Sequence, residues 1–158
     1  MNKDKEVKRI RIALLIFIVL LALSGITAFP IRSEIAFLIA HRSSFPLFFR
    51  SWIDQLNVSI TNTPDVILYG TDWLAFAHLV ISMFFIGVYI DPVKNKFNLI
   101  AGIIACIAVF PLAFIMGPIR GIPFFHQLID CAFGLFGSIP LFIVYTKIKK
   151  IEHANFKQ

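Results

Sequence analysis

Asp130 lies inside an otherwise apolar stretch of the sequence, and His126 precedes it by four residues. Residues four apart share one face of a helix, so the carboxylate and the imidazole are expected to be neighbours. An aspartate inside a membrane span costs about 2.5–3.5 kcal/mol on insertion scales. Such a residue is therefore expected to be paired with another group or to serve a function, and it is the first place in this chain to look for chemistry.

Three further polar residues are expected at the same end of the molecule. The sequence has four long apolar segments, and Asp130 lies in the fourth. Asp72 and His78 lie at the start of the second segment, and Arg120 lies in the turn just before the fourth. If these segments cross a membrane, all of these groups gather near its outer face. We call this set the outer polar cluster, and it consists of Asp72, His78, Arg120, His126 and Asp130.

Three interpretations of the outer polar cluster remain open. In the first, Arg120 neutralises Asp130 and the histidines make structural hydrogen bonds, since buried charges persist when they are paired. In the second, His78, His126 and Asp130 bind a metal such as zinc, which accepts these ligands and leaves a fourth position to water. In the third, the cluster binds a lipid-linked or periplasmic small molecule, with Arg120 on a phosphate or carboxylate. No cofactor is predicted.

The composition identifies the kind of protein that must position these groups. The chain has 158 residues, of which 58% are hydrophobic and 15% are charged, and its mean hydropathy is +0.83. A soluble domain has roughly 45–50% apolar and about 25% charged residues. The two cysteines are too few for a disulfide-stabilised fold. These numbers predict an all-α integral membrane protein.

Four apolar stretches are long enough to cross a bilayer, which needs about 20 helical residues. They predict a four-transmembrane-helix bundle that forms a single membrane domain over 1–158. Thr71 is expected to cap the start of the second span, and Asp91-Pro92 to end it. The predicted spans are about 10–29, 72–90, 97–118 and 124–146, with an extracytoplasmic segment over 30–71.

Basic residues predict the orientation. The two tails and the turn after the second span hold 11 of the 15 lysines and arginines. We expect the protein to lie in the inner membrane of the cell. The positive-inside rule then places both of its termini in the cytoplasm. The net charge of +6 is explained by this topology and requires no nucleic-acid partner. Residues 1–24 also resemble a signal peptide that would be cleaved after Ser24, although the uncharged run continues to Phe29.

An amphipathic helix is predicted inside the 30–71 segment. Ser44 is the expected N-cap, Pro46 suits the first turn, and residues 57–64 are expected to form a loop. The apolar face suits a helix lying in the outer membrane interface between spans one and two, or a surface that caps the spans or docks a partner. This aromatic stripe consists of Phe45, Phe48, Phe49, Trp52, Ile53 and Leu56.

Small residues predict which spans pack together. Gly102 and Cys106 in the third span, and Gly134 and Gly137 in the fourth, recur at spacings of three or four and allow close approach of two helices. Cys106 and Cys131 are expected at different depths, too far apart for a disulfide, and are predicted to be free thiols.

The sequence favours an accessory or partner-binding membrane subunit. Its expected partners are the lipid bilayer and another membrane protein or a second copy of the chain. The alternative is a membrane enzyme or ligand-binding protein that uses the outer polar cluster, with or without a metal. A transporter ranks third, because four spans enclose little volume and the inner half lacks polar residues.

Overall fold

The structure, a computed structural model, describes residues 3–155 and the side chains of residues 5–150. Lys157 and the side chain of Lys3, both counted in the basic tails, lie outside these ranges. The described chain is all-helical and contains no strand. Its helices are α1 (Lys3–Ala28), α2 (Ile31–Ala40), α3 (Leu47–Asn62), α4 (Asp65–Ile90), α5 (Lys96–Ile119) and α6 (Phe124–Asn155), with a short 3-10 helix at Arg42–Ser44 between α2 and α3.

Four of the helices are long and apolar enough to cross a membrane, which confirms the predicted number of spans. They mark the chain as a multi-pass membrane protein. The apolar helices cover Lys5–Ala28, Asp65–Ile90, Lys96–Ile119 and Phe124–Lys150.

Contacts divide the chain into two compact units. The α5–α6 unit comprises Met1–Leu20 and Ser82–Gln158, and the α2–α3 unit comprises Leu21–Ile81. Two of the four apolar helices, α1 and α4, contribute residues to both units. The prediction of a single membrane domain stays a prediction.

The α5–α6 unit has an aliphatic core. Its fully buried side chains come from α1, α4, α5 and α6, and they are Ile10, Leu14, Val88, Leu99, Leu141, Val144 and Ile148. The ring of Phe17 packs on that of Phe85 at a centroid distance of 4.7 Å. Burying these aliphatic side chains holds the helix segments together through dispersion contacts.

Close approach of α5 and α6 confirms the predicted packing of their small residues. A Cβ added at Gly134 would lie 2.5 Å from the carbonyl oxygen of Cys106, and one at Gly137 would lie 3.2 Å from the Cys106 sulfur. Only glycine fits at Gly134, because the atom that blocks a side chain belongs to the backbone. Cys106 and Cys131 are free thiols, as predicted.

The second span begins earlier than predicted. The helix α4 starts at Asp65, and Thr71 lies inside it, where its hydroxyl donates to the carbonyl oxygen of Leu68 at 2.6 Å. The prediction that Thr71 caps the helix is therefore wrong. The carbonyl of Pro64 accepts from the backbone N–H of Ile67 and Leu68 and so begins the helix. The predicted end is confirmed, because α4 stops at Ile90 before Asp91-Pro92.

The predicted loop over 57–64 is mostly helix. The helix α3 continues to Asn62, and only Thr63 and Pro64 separate it from α4. Ser59 donates to the carbonyl oxygen of Gln55 at 2.8 Å, and Thr63 donates to that of Ser59 at 2.6 Å. Both hydroxyls bond to carbonyls one turn earlier, a geometry in which a helix accommodates serine and threonine. The predicted Ser44 cap is also wrong, since Pro46 precedes the first residue of α3.

The turn between α4 and α5 is held by its own polar groups. Asn95 Nδ2 donates to the carbonyl oxygens of Gly87 at 3.0 Å and Asp91 at 2.9 Å. The Asp91 carboxylate accepts from the backbone N–H of Lys94 at 3.0 Å, and this hydrogen bond lowers the pKa of Asp91 below its usual value. The reversal at the basic end of these helices is thus well defined.

Candidate functional site

The outer polar cluster is divided between the two units. Asp72 and His78 belong to the α2–α3 unit, while Arg120, His126 and Asp130 belong to the α5–α6 unit. The five-residue cluster stays a prediction.

In the α5–α6 unit, α6 brings His126 and Asp130 together. The Nε2 atom of His126 lies 3.8 Å from a carboxylate oxygen of Asp130, one helical turn along. The Asp130 side chain is 48% exposed, and its Cα lies about 9 Å from the start of α6 at ~1.5 Å of rise per residue. Imidazole and carboxylate side chains are among those most often used in general acid–base catalysis.

The predicted ion pair between Arg120 and Asp130 is not formed in the described part of the chain. Asp130 lies instead 3.8 Å from the imidazole of His126, which is a cation only when it is protonated. Arg120 ends α5, and its backbone N–H donates to the carbonyl oxygens of Met116 and Gly117. Gly121 then reverses the chain with a φ of 68°, a conformation that suits glycine. The exposed Arg120 thus lies in the turn that follows α5. Asp130 lies nearly two helical turns into α6, where His126 is the closer residue.

Gln127 is a buried polar residue next to this pair that the sequence analysis did not single out. Its side-chain amide donates to the carbonyl oxygen of Ile122 at 2.8 Å. A Cβ added at Gly117 would lie 2.6–2.8 Å from the Gln127 side chain. Gln127 therefore ties the α5–α6 turn to α6, and the signal that could have revealed it is an amide in an apolar span.

In the α2–α3 unit, α1 and α4 pack closely beside His78. A Cβ added at Gly25 would lie 2.7 Å from the carbonyl oxygen of Ala75 and 3.1 Å from the Cβ of His78. The Nδ1 of His78 lies 2.9 Å from the carbonyl oxygen of Leu74, to which it donates in the tautomer that carries its proton there. Asp72 is half-buried one and a half turns earlier on the same helix.

The part of the α2–α3 unit that lies outside the candidate spans is a helical hairpin. Arg42 donates from Nε to one carboxylate oxygen of Asp54 at 2.6 Å and from Nη2 to the other at 2.5 Å. Arg50 donates to the backbone carbonyls of Phe45 at 2.7 Å and Ser43 at 2.7 Å. The 3-10 connection is thereby fastened to α3 by two arginines. We call α2, the 3-10 helix and α3 the outer hairpin.

The outer hairpin is also attached to the start of α4. Arg32 of α2 donates to a carboxylate oxygen of Asp65 at 2.7 Å, and both side chains are well exposed. An exposed pair of this kind contributes at most about 1 kcal/mol.

The aromatic stripe lies mostly on the inner side of the hairpin. Ile53 is 1% exposed, and Phe45, Phe49, Trp52 and Leu56 are half-buried. Phe48 is 55% exposed, and its ring lies 4.1 Å from that of Phe49 between centroids. The most exposed apolar residue beside it is Leu47, at 80%. Most residues of the aromatic stripe are thus buried or half-buried, and Leu47 and Phe48 form an exposed apolar edge.

The basic end of the α5–α6 unit contains an ion pair that the sequence analysis missed. Lys147 of α6 donates to the Glu6 carboxylate of α1, and both side chains are largely buried. Arg9 lies 3.4 Å from the same carboxylate. Glu6 and Lys147 are 141 positions apart in the sequence, so no local spacing rule could have connected them.

Among the side chains that the structure describes, no group of three or more His, Cys, Asp or Glu residues is arranged to hold a metal ion. No family model matches the chain, and no curated protein or solved structure matches it either.

Proposed function

We propose that this protein is an accessory membrane subunit of the inner (cytoplasmic) membrane, with both termini in the cytoplasm, and that it binds a partner membrane protein through the outer hairpin. The orientation rests on the basic residues of the tails and of the α4–α5 turn, which the positive-inside rule assigns to the cytoplasmic side. The same rule leaves the outer hairpin on the opposite side.

The observation that carries the proposal is the exposed apolar edge on a preorganised element. Bidentate arginine–carboxylate contacts are geometrically specific, so the pair of Arg42 and Asp54 fixes the hairpin before any partner arrives. Leu47 and Phe48 remain largely exposed at the first turn of α3, beside this brace. A rigid element with an apolar edge loses little entropy on binding.

Co-purification tests the proposal. The protein is extracted from its native membrane in a mild detergent, and the parent is compared with the variant Leu47→Ser/Phe48→Ser. The matched control is Val58→Ser, an exposed apolar residue in the second half of the same helix. We expect a stoichiometric partner with the parent and with the control, and its loss from the double variant.

Two results would contradict the proposal. One is the absence of any stoichiometric partner protein from the parent. The other is equal recovery of the partner with the double variant, which would assign the Leu47–Phe48 edge to the lipid interface.

A second function is favoured by the half-exposed Asp130 carboxylate and its neighbour His126. A charged side chain that keeps an open face inside a span is suited to bind a ligand or to transfer a proton. In that case, the protein is a membrane enzyme or ligand-binding protein acting on a lipid-linked or periplasmic molecule. Asp130→Asn would then leave the protein folded and its partner bound, and would abolish the activity or the bound ligand.

A further inference from the structure

A groove at the basic end of the α5–α6 unit joins charged and apolar residues. It lies between the first turns of α1 and the end of α4, and its volume is about 360 Å³. This is within the range of ~300–1,000 Å³ that is usual for ligand sites. The groove is lined by Val7, Lys8, Arg11, Ile12, Leu15 and Tyr89.

The lining follows one face of α1. Lys8, Arg11, Ile12 and Leu15 stand at positions i, i+3, i+4 and i+7, so the basic residues come first and the aliphatic residues follow towards the middle of the span. From Lys8 to Leu15 the helix rises about 10 Å at ~1.5 Å per residue. Tyr89 brings a phenol, which can donate a hydrogen bond, from the last turn of α4.

Among the side chains that the structure describes, none neutralises the two cations of the groove. Glu6, the nearest acidic residue along α1 with a described side chain, is engaged by Lys147 and Arg9. Lys8 and Arg11 are exposed and have no ion-pair partner among the described residues. The positive charge of the groove is thus available to an external anion.

We infer that this groove binds an anionic phospholipid, with the phosphate at Lys8, Arg11 and Tyr89 and an acyl chain along Ile12 and Leu15. Charge complementarity selects the anion, and the change from basic to apolar side chains along α1 matches the order of headgroup and chain in a lipid. Basic pockets between spans on the cytoplasmic side take anionic headgroups in this way.

Native mass spectrometry of the full chain tests the inference, with phosphatidylglycerol and phosphatidylcholine of identical acyl chains as probes. We expect the parent to prefer phosphatidylglycerol. The variant Lys8→Gln/Arg11→Gln should lower that preference by roughly 30-fold, since each basic side chain contributes about fivefold at an anionic surface. Tyr89→Phe, which removes only a hydroxyl, should lower it less.

The control variant is Lys5→Gln/Lys150→Gln, which removes two exposed charges of the same unit that do not line the groove. It should keep the preference of the parent. Equal binding of both lipids by the parent, or an equal loss in the control variant, would overturn the inference. Displacement of phosphatidylglycerol by an equal concentration of inorganic phosphate would also overturn it, because the ligand would then be a free anion and not a lipid.

Discussion

The guanidinium of Arg42 donates to both carboxylate oxygens of Asp54, twelve residues along the chain, at 2.6 and 2.5 Å. This contact joins the connection between α2 and α3 to the middle of α3. It makes the outer hairpin a defined element and not a flexible excursion between two spans. The proposed docking edge depends on it.

Acid is expected to loosen the hairpin. The hydrogen bond from Arg42 lowers the pKa of Asp54 below its usual value. Because the folded pKa is lower than the unfolded one, the contribution of this carboxylate is complete above a pH of about 3.9 and is lost as the pH falls through the lowered pKa. The protection of residues 42–54 against hydrogen exchange, measured relative to the intrinsic exchange rate at each pH, should therefore fall in that acidic range. Asp54→Asn should exchange faster at neutral pH and show no such acid step; an unchanged step in this variant would assign it to another group.

Ile53 should hold α3 in the hairpin. It is the fully buried residue of the aromatic stripe, so Ile53→Ala is expected to destabilise the hairpin by about 2–4 kcal/mol. Limited proteolysis within residues 42–64 measures the effect as faster cleavage. The control Val58→Ala removes an exposed side chain from the same helix and should change stability by no more than about 0.5 kcal/mol. Equal cleavage of both variants would show that the burial of Ile53 does not stabilise the hairpin.

Gly134 should not tolerate a methyl group. Its Cβ would lie 2.5 Å from the carbonyl oxygen of Cys106, so Gly134→Ala must separate α5 from α6 at a cost of about 1–3 kcal/mol. Gly70→Ala is the control, because nothing lies within 4 Å of its added Cβ on α4. This control should be neutral or more stable by up to about 1 kcal/mol. Thermal unfolding in detergent compares them, and a Gly134→Ala protein as stable as the parent would contradict the close approach.

Arg120 and Gln127 should differ in their effect on stability. Arg120 is exposed, so Arg120→Ala should change the free energy of unfolding by no more than about 0.5 kcal/mol. Gln127 is buried, and Gln127→Ala leaves the Ile122 carbonyl without its donor, at a cost of about 1–3 kcal/mol. Denaturation of both variants in detergent measures the difference. A large loss of stability in Arg120→Ala would contradict this and would support the ion pair with Asp130 that the sequence had predicted.

The sequence correctly predicted those features of the fold that depend on the residue types within a single segment. Hydropathy alone located the four spans, and Asp91-Pro92 located the end of α4, because proline restricts the residue before it. The glycines of α5 and α6 predicted their packing, since close approach needs small residues at regular spacing.

Contacts between distant segments were missed or misassigned. The sequence offered Arg120 as the partner of Asp130, because it was the nearest cation, whereas the helix geometry brings His126 within 3.8 Å. Glu6 and Lys147 form a pair across the whole length of the chain. The start of α4 was misplaced because the apolar run, which hydropathy detects, begins later than the helix that Pro64 initiates.

The topology of the chain is the most direct test of the central claim, a multi-pass membrane protein that exposes its outer hairpin on the side opposite to both termini. Reporters that distinguish cytoplasm from periplasm are fused after Asn62, after Lys94 and after Gln158. The account predicts a periplasmic reporter at Asn62 and cytoplasmic reporters at Lys94 and Gln158. Asn62 and Lys94 on the same side, or a periplasmic Gln158, would contradict it.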